Sequence, residues 1–503
     1  MKIVVVVIFI VFRTLSIFAN GIINVKDFGA LGNGVNDDTK SIQAAINAAP
    51  SFSETIIYFP AGVYNIASYT KTNIFLINYC IKFHSNLYIK GEGSKSVIRL
   101  ADHLFDKKDT SANAHLFYGA DIKNISISDL MIDMNGGRNL VPLNVIKNNA
   151  AIFAYGGENY YIHDITIKNC SGTNMLNIMK DGKSLIVENC RFINGGNYVG
   201  IPVANKGQID FSFVYSEWDS TIVKNNIFQQ QNIDIALANY CGGIELHGSN
   251  STASNNSIEG CWPAIYITSS KRELENIIVE SNKFLNCTIG LSFWVNYPMR
   301  NILIHNNTIH LAYPRSGKIA ICAGIIVPNG NAKKYNINLA NAAPIYDLQI
   351  TGNTIEADSM QELSAGMVLH SLHQSKISGN AIKGMNYGGI VLQGSKWGTD
   401  SLSVDDNSFI DFRPNNDKNA VAGYFVVTDT YSNGMKNSPG YKGIVFSRNK
   451  FIRNKIKNAK NNSARGKFLG AFIAIPSRMK GEIKFENNDF MDPSEKIHFV
   501  KTD

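Results

Sequence analysis

The sequence predicts an all-β chain wound as a parallel β-helix, and three observations carry that prediction. A six-residue unit with Asn in fourth place recurs as V-K-N-N-I-F, A-S-N-N-S-I, V-E-S-N-K-F, I-H-N-N-T-I, I-T-G-N-T-I, I-S-G-N-A-I, V-D-D-N-S-F, F-S-R-N-K-F and F-E-N-N-D-F. Between these units a second strand type recurs, as in G-G-I-E-L-H-G, P-A-I-Y-I-T-S, I-G-L-S-F-W-V, A-G-M-V-L-H and G-G-I-V-L-Q-G. The length, 503 residues, exceeds what one ordinary compact core supports and suits a core extended along an axis.

The repeated unit reads as a strand, a tight turn and the start of another strand. Its Asn residues are Asn226, Asn256, Asn282, Asn307, Asn353, Asn380, Asn407, Asn449 and Asn488. Asn tolerates left-handed backbone and hydrogen-bonds neighbouring peptides, so identical bends stacked on one another form an amide ladder. Earlier copies, I-S-D-L-M-I, I-K-N-C-S-G and V-E-N-C-R-F, put Leu130, Cys170 and Cys190 at the ladder position. A β-sandwich would need hairpin turns every 8 to 12 residues or so, which a single Asn register does not supply.

One helix is expected near the start. D-D-T-K-S-I-Q-A-A-I-N-A-A-P offers Asp37 or Asp38 as N-cap, Ile42, Ala45, Ile46 and Ala49 on one face, and Pro50 as terminator. It would cover the open end of the first coil. The domain reading is residues 1–19 as a signal peptide, 20–66 as cap and first strands, 67–491 as β-helix and 492–503 as a tail. The leader rests on Lys2, the apolar run Ile3–Phe12 and a small residue at Ala19. It predicts a secreted, periplasmic or cell-surface protein, with no membrane association once the leader is cleaved.

The net charge of +8 could attract an anionic polymer such as a uronate glycan. No nucleic-acid module accompanies the basic loop 453–467, so nucleic acid is not expected as a partner. Seven cysteines lack metal-type C-x-x-C spacing; in an exported chain they are either disulfides or buried thiols, and buried thiols are favoured because Cys fits an inward ladder as a small apolar residue.

The segment V-K-D-F-G-A-L-G-N-G-V-N-D-D-T-K-S-I-Q-A-A-I-N-A-A followed by I-I-Y-F-P-A-G-V-Y-N-I resembles the N-terminal signature of the pectate-lyase-like superfamily. The match is to its rhamnogalacturonase/epimerase-like branch, with polygalacturonases and phage tailspikes as relatives. The resemblance implies a right-handed parallel β-helix with a capping helix, activity on a polysaccharide, and trimerisation as one assembly known in the superfamily. It does not fix the reaction, because the superfamily holds hydrolases, lyases, epimerases and non-catalytic adhesins. The Asn-Thr-Asp, Gly-His-Gly and Arg-Ile-Lys motifs of polygalacturonases are absent, which disfavours that activity.

Counting back from the ladder locates a site. Three coils aligned on Cys190, Asn226 and Asn256 put Ile178, Val214 and Ile244 inward together. Alternation then turns Phe213 outward, then Tyr215 with Glu245, then Asp181 with Glu217 and His247. The expected catalytic residues are Asp181, Glu217, Glu245 and His247. Two carboxylates one strand spacing apart, ~5 Å, suit a retaining glycosidase. Lys180, Phe213, Tyr215, Trp218, Lys271, Arg272, Trp294 and His370 are the expected substrate-binding residues, the aromatic ones as faces for sugar rings. Solvated turn acids and mixed polar ladders are ordinary on such folds, and a structural role for the same column is the competing reading.

Three functions follow. The first is a secreted glycoside hydrolase with Asp181 and Glu217 as the acid pair. The second is a lyase or epimerase on a uronic-acid-containing glycan, using His247 or Lys180 with Arg272. The third is a non-catalytic glycan-binding β-helix. No cofactor or metal site is evident, and Ca2+ enters only for a lyase; no D-x-D-x-D-G loop is present.

Overall fold

The computed structural model describes residues 21–74, 77–104, 114–139, 149–172, 174–196, 211–230, 241–312, 322–327, 343–357, 363–411, 423–428, 440–452, 471–474 and 483–490. The leader, the tail and the basic loop of the sequence reading lie outside them. Among the described residues the strands form one sheet of 28 strands and another of 15. Strands of successive coils pair in parallel and in register, for example Val214 with Ile244 and Ile244 with Ile265. This is a parallel β-helix, as the repeat predicts.

The Asn ladder is continuous. Each side-chain amide from Asn226 to Asn449 donates to the Oδ1 of the next ladder Asn at 2.9–3.0 Å, ending on Asn488. The same Oδ1 atoms also accept the preceding ladder Asn's backbone N–H. The left-handed residue is the one before each ladder Asn, as at Asn225, Asn255 and Asn306, with φ of 58°, 54° and 53°. The ladder Asn is therefore selected for its amide, and the preceding position for its backbone.

Cys170 is not on the ladder. Thr166 pairs with both Met131 and Arg191, so the residue between Leu130 and Cys190 is Ile165, preceded by left-handed Asp164. Cys170 pairs instead with Gly195, five residues past the ladder like Cys261 and Cys287. All seven thiols are free and buried. Burial pushes the Cys170 and Cys190 thiols up to about 12, which keeps them protonated and unreactive.

The capping helix runs Thr39–Ala48 with Ile42, Ala45 and Ile46 buried. Its two leading aspartates divide the work. Asp37 accepts the Thr39 N–H at 3.0 Å, while buried Asp38 accepts the N–H groups of Leu31, Gly32 and Asn65 and ties the preceding loop to the first coil.

A corner between the two sheets carries small residues. A Cβ on Gly290, Gly324 or Gly366 would lie 2.5–2.6 Å from the carbonyl oxygen of the next coil. Gly366→Ala is expected to destabilise by about 1–3 kcal/mol, the range for overpacking a close-packed core, readable as a lowered midpoint in urea.

Candidate active site

The coil carrying Lys180 is longer at its bend than the coil after it. Ile178 pairs with Ser216, and Lys183 with Asp219, so four residues of one coil face two of the next. Pairing of Leu176, not Ile178, with Val214 follows. The stacked Asp181–Glu217 pair therefore does not form. Glu217 stands beside Met179, one place beyond the Ile178–Ser216 pair, and Asp181 is exposed on the extended bend.

Two expected sugar platforms are core residues. Trp218 is fully buried, edge-on to Tyr160 at 5.1 Å between centroids, in space left by Gly182. Its indole N–H donates to Met179 O at 3.4 Å. Phe213 is also fully buried, tilted against Phe228 at 5.7 Å. It occupies the small-residue corner column at the level of Gly243, where alternation fails and Phe213 and Val214 both point inward. His370 is 1% exposed, with Nδ1 at 3.0 Å from Ser371 Oγ, so it is no surface ligand. Trp294 does face outward, half-buried, paired with Thr268.

The remaining residues converge. Asn177, Tyr215, Glu245, Tyr266 and Ser292 are register partners on five successive coils. Between the Tyr215 and Glu245 coils the turns are equal, so His247 follows Glu217 in the adjacent column, with its N–H on Ser216 O at 2.8 Å. His247 Nε2 lies 2.8 Å from Glu245 Oε1 and Nδ1 lies 3.1 Å from Ser270 Oγ. The second Glu245 oxygen accepts the Ser212 hydroxyl at 3.0 Å. The His247 ring packs against Tyr215 at 4.7 Å, and the Tyr215 hydroxyl donates to Glu217 Oε1 at 2.7 Å.

Glu217 is the centre of charge. Lys271 Nζ reaches Glu217 Oε1 at 2.7 Å from the turn two coils on, and the Lys180 N–H donates to Oε2 at 2.9 Å. Arg272 fixes that turn by pairing with Asp219 at 2.8 Å and donating to Glu217 O. Burial would raise the Glu217 carboxyl, but hydrogen bonds from Lys271 and Tyr215, the Lys271 charge and the Lys180 N–H hold it below the ordinary value. A depressed folded-state pKa adds stability that is present above the unfolded value, about 4.3, and lost as pH falls through the folded one. The stability difference between wild type and Glu217→Gln is accordingly expected to be flat at neutral pH and to shrink below about pH 4, measured by urea titrations at several pH values.

The residue that sequence reasoning missed is Asp121, which holds Lys180 Nζ at 2.8 and 3.0 Å. Its signal lay in the Gly156–Gly157 pair of the neighbouring coil, since a Cβ on Gly156 would lie 2.3 Å from Asp121 Oδ1. Ser212 and Ser270, the supports of the Glu245–His247 pair, carried no sequence signal. The carboxylates here do not fit a Ca2+ ion, because Asp121, Glu217, Asp219 and Glu245 already engage Lys180, Lys271, Arg272 and His247. Among the described residues no three His, Cys, Asp or Glu side chains converge to hold a metal.

Comparison with known proteins agrees with this architecture. A segment of 113 residues is 41% identical to mannuronan C5-epimerase AlgE5 of Azotobacter vinelandii, covering 22% of this chain and 11% of that protein. Alginate lyase 7 of the same organism matches at 40% over 117 residues, 22% of this chain and 12% of the lyase. The chain thus spans only about a tenth of those relatives. Plasmin and fibronectin-binding protein A of Streptococcus pneumoniae matches at 29% over 187 residues, 35% of this chain and 24% of that protein. Among solved structures, the tailspike of Escherichia coli bacteriophage HK620 in complex with a pentasaccharide superposes with a TM-score of 0.62 at 17% identity, covering 93% of this chain and 78% of the tailspike. The model of the rhamnogalacturonase A/epimerase, pectate lyase-like family matches residues 22–292. With more than half of its length matched, the chain belongs to that family.

Proposed function

We propose that the protein removes the C5 proton beside the carboxylate of a uronate residue in an anionic polysaccharide, as an epimerase or a lyase. The observation that carries this reading is the His247 imidazole held between Glu245 and Ser270 and packed on Tyr215. With Nε2–H donated to Glu245, the Nδ1 lone pair is the basic position, reached by displacing the Ser270 hydroxyl. Lys271, 65% exposed where Glu217 is 6% exposed, can turn from Glu217 to the substrate carboxylate.

The C5–H bond breaks, the proton goes to His247 Nδ1, and the electron pair delocalises into the carboxylate against the Lys271 ammonium. The Tyr215 hydroxyl gives its own proton to the opposite face of C5, which inverts it, or to O4 as the C4–O4 bond breaks, and the tyrosinate left behind regains a proton from the neighbouring His247 imidazolium by way of solvent. Relatives named as epimerase and lyase support this chemistry. A hydrolase is less well supported, since Asp181 is out of register with Glu217 and Glu217 is held ionised.

The test is incubation with mannuronate and galacturonate polymers in deuterium oxide. Deuterium at C5 supports inversion, an ultraviolet-absorbing unsaturated end supports elimination, and new reducing ends with neither signal would favour hydrolysis. Binding to these polymers with no chemical change would instead favour a glycan-binding protein.

A further inference from the structure

Resting on that reading of the site, we propose that the bound glycan occupies a window of six coils, with Tyr155 and Trp294 as the sugar platforms at its two ends. The column that contains Glu217 and His247 reads Tyr155, Met179, Glu217, His247, Thr268 and Trp294. Tyr155 pairs with Met179 and Thr268 with Trp294, while the residues between follow the Ile178–Ser216, Ser216–Leu246 and Leu246–Ile267 pairs. Glu217 and His247 are its two central members. Each aromatic ring stands two coils from the nearer of them.

The ends of the window are built differently from its middle. Tyr155 is 37% exposed, and Lys180 Nζ, anchored by Asp121, lies 5.3 Å from its ring centroid. A sugar carboxylate meeting that ring would therefore meet an ammonium as well. At the other end Trp294 faces outward, with its indole N–H donated to Asn296 at 3.2 Å. An outward aromatic face beside a cation suits a uronate ring, apolar on one face and charged at its rim.

The flanking column limits the window. Within the window its partly exposed members are Tyr215, Glu245 and Tyr266, while Asn177 and Ser292 on either side are buried. Farther out, Phe153 is 3% exposed on one side, and on the other the partly exposed Ile326 is followed by Val368, 2% exposed. Val368, Val391 and Val426 pack with Ala323 and Ala365 in an apolar cluster of their own. The floor therefore closes in both directions. Five strand spacings separate Tyr155 from Trp294, ~24 Å in all, and a 1,4-linked pyranose advances by roughly one such spacing, so a chain with a ring on each platform has about six sugars.

Size-defined oligomannuronates and oligogalacturonates, from dimers to decamers, titrated into the full chain by calorimetry test the window. Affinity is expected to rise up to about the hexamer and then level off. Tyr155→Ala and Trp294→Ala are each expected to weaken the hexamer about threefold to tenfold and to leave the trimer unchanged, with Tyr155→Phe restoring wild-type affinity. Affinity that climbs on to the decamer, or alanine variants that weaken trimer and hexamer alike or neither, would overturn the window. No binding of either series overturns both the window and the proposed chemistry. The stated length profile without proton exchange at C5 supports the window and sinks the chemistry alone.

Discussion

Replacing His247 by Ala is expected to lower turnover of uronate polymer by about a hundredfold to ten-thousandfold, the span assigned to a positioned general base. Glu245→Gln should lower it less, because an amide can still meet Nε2–H but no longer stabilises the imidazolium that forms. The pair of variants separates the roles. His247→Ala removes the group that takes the proton, whereas Glu245→Gln leaves that group in place and withdraws only the carboxylate 2.8 Å from its Nε2. Tyr215→Phe adds a third reading, since it keeps the ring packed on His247 but removes the hydroxyl that donates to Glu217. If all three variants turn over the polymer at the wild-type rate, the chemistry lies elsewhere on the molecule.

The largest stability effect is expected at the middle of the amide ladder. Asn307 is buried, and its side-chain nitrogen donates to Val279 O and to Asn353 Oδ1, both at 2.9 Å. Its Oδ1 accepts from the backbone and the side chain of Asn282 at 3.0 Å. Asn307→Asp keeps the shape and removes both donations, and it sets a carboxylate oxygen against the Oδ1 of Asn353. The expected loss is about 3–5 kcal/mol, the range for a buried charge left without a partner, read from urea unfolding at neutral pH. Part of that loss should be recovered in acid, where protonation restores one donor. Asn307→Asp melting like wild type would mean that the ladder decorates the core without supporting it.

The ladder was legible from sequence because one amide satisfies one donor and one acceptor in every coil, so the same residue recurs at each turn. Ile165 escaped the pattern for the complementary reason. Where the ladder position is apolar, nothing distinguishes it from any other inward residue, and Cys170 borrowed the signal from the Asn169 before it. The bend at Lys180–Gly182 was opaque for a different reason. Strand pairing is set by backbone hydrogen bonds between coils, and two residues added at a bend leave no mark on either flanking strand. That single difference moved Asp181 out of line with Glu217. Phe213 points outward under strict alternation, which fails where the chain turns a corner and successive residues both face the core; Trp218, four residues past inward Val214, falls inward under the same alternation, and only its place beside Glu217 suggested a sugar platform. Glu217, Glu245 and His247 kept their mutual positions because the two coils that carry them have equal turns.

Every side-chain partner of a ladder Asn lies on the coil before or the coil after. Cohesion along the axis is therefore a chain of nearest-neighbour couplings, like that of a one-dimensional magnet. A defect such as Asn307→Asp divides that chain, and the coils on its two sides should then open as separate cooperative units. Native-state hydrogen exchange would record the division as two groups of amides with different opening free energies where wild type has one. The catalytic candidates and the far valine cluster fall on opposite sides of that boundary, so the site-bearing coils should keep their protection while the others lose theirs.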